Sequence, residues 1–154
     1  MKPLLNWADS YSVGHAGLDA DHHHLVDSIN EVQSAMEARH PAEKMRSLLE
    51  RLALSTEAHF NHENAVLEEI RDSVKVAPPK LRRQRAHLKA LSDLALGAHI
   101  LEHRSSLIKL VWITRVPRTD HEVWGPDLCA SLRDWFLEHA IKYDADLKTI
   151  FQAM

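Results

Sequence analysis

The chain has 154 residues, of which 45% are hydrophobic and 27% charged, and a net charge of -3; this is the size and composition of one globular domain with a buried core, spanning 1–154. Nowhere do the roughly 18 uncharged apolar residues of a membrane span run together, and Met1-Lys-Pro-Leu-Leu-Asn-Trp7 is too short an apolar stretch for a signal peptide, so a soluble cytoplasmic protein is expected, with no membrane partner. Lys and Arg are scattered except in Lys80-Leu-Arg-Arg-Gln-Arg85, which reads as a solvated helix start and leaves no extended basic face for nucleic acid, and the lone Cys129 excludes an internal disulfide and a cysteine-built metal cage.

Only four glycines and few alternating β-branched runs argue against a sheet, and the apolar spacing argues for helices. After an irregular N-terminal arm with Trp7, Tyr11, Val13 and Gly14, a first helix is predicted from near Leu18. It carries Leu18, His22, Leu25, Ile29, Val32 and Met36 at alternating steps of four and three. It should end before Pro41, because a proline disfavours helix at the residue ahead of it. Pro41 in turn suits the first turn of a second helix, whose inner stripe runs Met45, Leu49, Leu52, Thr56, His59, Glu63, Val66, Ile70. Asp72 to Pro79 reads as a break. A third helix follows from about Lys80 to about Thr114, in one piece or in two around Gly97. Arg115 to Asp120 reads as a loop, and a fourth helix near Pro126 carries Leu128, Leu132, Trp135, His139, Tyr143 and Ile150. The expected fold is all-α, an antiparallel up-down four-helix bundle.

Twelve histidines are a surplus that position must explain. His22, His59, Glu63 and His139 interrupt apolar stripes near the middle of their helices, and burying ionisable groups without partners costs several kcal/mol. A single such histidine is readily a hydrogen-bonded core imidazole; four convergent polar groups are better explained by a metal. His99 and His103, four residues apart, share one face of the third helix and form a two-pronged metal grip. His87 lies 12 residues before His99, about 120° round a continuous helix. Asp144, five residues after His139, sits about 140° round and 7.5 Å along an α-helix, awkward for one ion but suited to reaching a second. Five imidazoles and two carboxylates exceed the four ligands of a structural zinc site and imply two metals.

These residues resemble a bacterial hemerythrin over nearly the whole chain. The likeness rests on Gly14-x3-Leu-Asp-x-Asp-His22-x-x-Leu25, His59-Phe-x-x-Glu63, His99-x3-His103 and Trp135-x3-His139-x4-Asp144. The resemblance implies a non-haem di-iron centre. His99, His103 and His139 would bind one iron, His22 and His59 the other. Glu63 and Asp144 would bridge them together with an oxo or hydroxo group, and the second iron would keep an open position for dioxygen. Apolar Phe60, Trp135 and Phe136 would keep water and protons out. Two departures are the 36 residues from Glu63 to His99 and Asn64 where many members have an acid; a shifted register would offer Arg83 and His87 instead. The implied function is reversible dioxygen binding by a carrier, store or sensor rather than an enzyme. The competing readings are a di-iron enzyme acting on peroxide, nitric oxide or dioxygen, and a bundle that binds zinc or no metal and acts through protein contacts. His62 and His23, next to assigned ligands, should be solvated or donate to groups behind the site.

Overall fold

In a computed structural model, residues 2–73, 78–115 and 125–154 are described. Every regular element among them is helical: α1 (Ala16–Glu37), α2 (Ala42–Ser73), α3 (Arg82–Arg115), α4 (Pro126–Leu137) and α5 (Ala145–Ala153), with a π-helical turn over Glu138–Tyr143 joining α4 to α5. No helix among the described residues is long and apolar enough to cross a membrane. The expected loop at Arg115 to Asp120, and His121, lie outside the described residues beyond Arg115, as does most of the break after Asp72.

The arm is tied down along α1. Leu4 N–H donates to Gln33 Oε1 at 2.7 Å and Leu5 N–H to Asn30 Oδ1 at 3.0 Å, while Trp7 stacks on His23 with centroids 3.5 Å apart. Gly14 takes φ +84°, a left-handed conformation that turns the chain into α1 without a Cβ penalty. The helix starts two residues earlier than predicted because His15 Nδ1 accepts from Leu18 N–H at 3.2 Å, capping a donor that the helix leaves free. Pro41 stands just ahead of α2: its carbonyl accepts the first bond, from Met45 N–H at 3.2 Å.

The stripe predicted for α2 is buried at every position from Met45 to Ile70. Helix α3 runs unbroken through Gly97, which a single glycine in an otherwise strong helix sequence tolerates. The fourth rod departs from its prediction. Its π-turn inserts one residue per turn after Glu138, so Tyr143 leaves the inner stripe and Asp144 is buried instead.

Two apolar clusters fill the bundle. One gathers Leu25, Ile29, Leu49, Leu52, Leu110, Leu132 and Phe136; the other Leu18, Leu67, Ala95, Leu147 and Ile150. His22, Glu63, His99, His103 and Asp144 lie along the chain between residues of the two clusters, and His59 and His139 each lie within one residue of the first cluster's edge, beside Phe60 and Ala140. Apolar packing on both sides thus holds the bundle around a polar layer.

Candidate metal centre

His22 comes from α1, His59 and Glu63 from α2, His99 and His103 from α3, and His139 and Asp144 from the fourth rod. None is more than 4% exposed. His59 with Glu63, and His99 with His103, meet through ordinary i,i+4 geometry. His139 and Asp144 meet through the π-turn, whose i→i+5 bond from Asp144 N–H to the His139 carbonyl spans 3.1 Å. The 140° separation read for an α-helix is therefore corrected: π-helical winding stacks residues five apart, and both side chains enter the same layer.

Glu63 is the hub. Its Oε1 lies 3.1 Å from His59 Nε2, 3.7 Å from His139 Nε2 and 4.0 Å from His22 Nε2; its Oε2 lies 2.7 Å from His103 Nε2 and 3.9 Å from His99 Nδ1. Asp144 Oδ2 lies 3.0 Å from His22 Nε2 and 3.3 Å from His139 Nε2, and its Oδ1 is 3.9 Å from His99 Nδ1. The Nε2 atoms of His59 and His139 face each other at 3.0 Å. Two donors each about 2.1 Å from one ion and at right angles to one another lie about 3.0 Å apart, so these spacings are those of neighbouring ligands.

Donor atoms fall into two groups that share Glu63, namely His22, His59, Glu63, His139 and Asp144, and Glu63, His99 and His103, beside a third formed by Glu102, His103 and His139. His139 belongs both to the group of His22 and His59 and to that of His103 and Glu102. His87 and Arg83 are exposed, so the shifted register brings neither to the layer.

Hydrogen bonding leaves the cluster short of partners. Both oxygens of Glu63 and of Asp144, both ring nitrogens of His99 and of His103, and His22 Nε2 are buried without a hydrogen-bonded partner. Buried polar atoms are rarely orphaned, and imidazole with carboxylate is a donor set suited to iron, zinc and other transition ions. The residues fit a metal.

Electrostatics agrees. Burial pulls the His59 imidazole down, but the charge of Glu63 and the contacts to Asp21 and Asp144 outweigh it and raise it to about 10. His139 is also raised against its burial, by Asp144 and Glu63, and Glu63 is held well below the ordinary carboxylate range by His59 and His139 despite its own burial. Protons thus offset the carboxylates in the metal-free chain. Burial pulls His99 down, leaving it neutral and available as a ligand.

Outside the layer, acceptors fix the rings. His22 Nδ1–H donates to the Tyr11 carbonyl at 2.6 Å, and His59 Nδ1–H to Asp21 Oδ2 at 3.4 Å, leaving both Nε2 atoms to point inward. His62 donates to the same Asp21 oxygen at 2.7 Å, and His23 instead packs on Trp7. Phe60 stacks on His103 at 4.0 Å, Trp135 lies nearly parallel to His139 at 6.5 Å, and the Phe136 edge approaches His22 at 6.0 Å. Sequence reasoning missed the roles of Asp21 and Glu102. Each directly precedes a candidate ligand histidine, which was the available signal.

Fold and site together define an all-α four-helix bundle whose buried His, Glu and Asp side chains could hold metal. Comparison with protein-family models, with curated proteins and with solved structures finds no match to this chain.

Proposed function

We propose that the protein is a hemerythrin-like non-haem di-iron protein that binds dioxygen reversibly as a carrier, store or sensor. The observation that carries this is Glu63, buried, without a hydrogen-bonded partner and within 4.0 Å of ligand nitrogens on all five inner histidines. His22, His59 and His139 with Asp144 would hold one ion, and His99 and His103 the other, with Glu63 common to both. The ion held from α3 would have the fewer protein donors and so would keep an open position. When bound, a ferrous pair supplies the two electrons that dioxygen binding draws on and returns. Neutral imidazoles and two carboxylates leave a dry core holding close to one unit of charge once a hydroxide is counted. Phe60, Trp135 and Phe136 wall the layer, excluding the water and protons that would release reduced oxygen.

The first test is metal analysis of protein made without an affinity tag: about two irons per chain is expected, and zinc or no metal overturns the proposal. The second is optical. Reduced, iron-loaded protein should gain a visible charge-transfer band in air and lose it under argon, whereas fast turnover of peroxide or nitric oxide would assign the site to an enzyme instead.

A further inference from the structure

Glu102 groups with His103 and His139 but is not among the seven residues proposed above to hold the metal pair. It sits on the seam where α3 meets α4, with its side chain 8% exposed. An ionised carboxylate on such a seam is costly unless something answers its charge, and an apolar residue would pack there without cost. Its Oε2 lies 3.4 Å from His139 Nδ1 and 3.7 Å from His103 Nε2. Burial pushes this carboxyl up, but His139, His103 and Ser106 together hold it below its ordinary value.

The side chain is also braced from behind. Ser106, one turn along α3 from Glu102, accepts from Trp135 Nε1–H at 2.6 Å, and its hydroxyl helps hold the Glu102 carboxyl down. Trp135 in turn lies nearly parallel to the His139 ring.

We infer that Glu102 is a positioning residue for the metal centre: it accepts from His139 Nδ1–H, fixing the tautomer whose Nε2 points into the ligand layer. At 3.4 Å the contact is longer than the 2.7–3.2 Å optimum, and His139 Nδ1 and this oxygen are both buried without a hydrogen-bonded partner, so each is the other's nearest available complement. The arrangement would repeat what Tyr11 does for His22 and Asp21 for His59, giving all three rings of that group an acceptor behind them. Removing such a support from a metal-bound histidine lowers metal affinity by about 10–100-fold.

This inference rests on the metal-binding reading but not on iron or oxygen, so the probe is cobalt(II), titrated anaerobically into the full chain and followed by its visible absorption. Glu102→Leu should weaken cobalt binding by about 10–100-fold, and Glu102→Gln, whose amide oxygen still accepts, should recover most of it. In a His139→Ala background Glu102→Leu should cost less than about twofold, because the ring it serves is gone. Equal affinity of Glu102→Leu and wild type overturns the inference while leaving the metal site standing. So does an undiminished loss in the His139→Ala background, which would make Glu102 a ligand in its own right, or failure of Gln to rescue, which would reduce it to a packing residue. Wild-type protein that binds neither cobalt nor iron overturns the proposed function as well. Far-UV circular dichroism of Glu102→Leu checks that its helices persist; should they not, the Gln variant and its cycle with His139→Ala decide.

Discussion

Glu63→Gln removes one charge and almost no volume, and it removes them from the point on which five imidazoles converge. In the metal-free chain the loss leaves raised His59 and His139 without one of the two carboxylates that raise both. Breaking a buried charge pair by removing one partner costs about 3–5 kcal/mol. For a chain of this length each kcal/mol moves Tm by about 2–4 °C, so the metal-free variant should melt about 6–20 °C below wild type near neutral pH. The gap should shrink in alkali, where the imidazoles shed their protons. Metal content should fall further than stability: Glu63 supplies a donor to both ligand groups, and the two irons per chain expected of wild type should drop to one or none. Calorimetry of chelator-treated protein and metal analysis of untagged protein read the two effects separately. Unchanged metal content in Glu63→Gln would refute the shared-ligand argument outright, whatever happened to Tm.

Phe60, 2% exposed, packs flat on His103; Phe60→Ala should cost about 3–5 kcal/mol and loosen metal held by His103, seen as a lower Tm and faster metal loss to a chelator. For pH, the sign follows from the directions. His59, raised from 6.5 to about 10, stabilises the metal-free fold fully below about pH 6.5 and loses that contribution as pH rises toward 10. Glu63 stabilises above about 4.5 and fails as pH falls, and His99, held below 6.5, also weakens the fold below that pH. Metal-free protein should therefore be most stable near pH 6 and melt progressively lower toward pH 9, while the Tm gained on loading metal grows over the same range, since metal displaces protons. Melts at pH 6, 7.5 and 9 with and without metal test this, and a metal-free chain that gains stability toward pH 9 would contradict it. Chelation should lower Tm yet leave helix content intact, because both apolar clusters remain packed; circular dichroism showing loss of helix on chelation would mean the metal holds the bundle together.

Periodicity carried most of the helical reading. In α2 a register of four and three placed eight inner residues, two of them ionisable, and all eight are buried. The same rule located His22 on α1 and paired His99 with His103 on α3, since the i,i+4 relation is a property of any α-helix regardless of its neighbours. Cap chemistry at His15 and the position of Pro41 moved boundaries by one or two residues without moving a ligand.

Where the local period changes, sequence spacing misleads. Asp144 looked 140° from His139 because α-helical winding was assumed; the π-turn, which nothing in Glu138-His-Ala-Ile-Lys-Tyr143 announces, brings both into the layer. A π-turn is poor hydrogen-bonding geometry in isolation, and it persists where the packing of α1, α2 and α3 around the rod favours the side chains it turns inward. The supports behind the rings were hidden for the same reason: Glu102 and His139 are 37 residues apart in sequence, and only the α3–α4 seam puts one behind the other. What this sequence determines by itself is which residue types lie on which helical face, because that depends on 3.6 residues per turn. Which of those faces meet, at what height, and therefore which histidine shares a layer with which carboxylate, depends on long-range packing, and only the tertiary structure decides it.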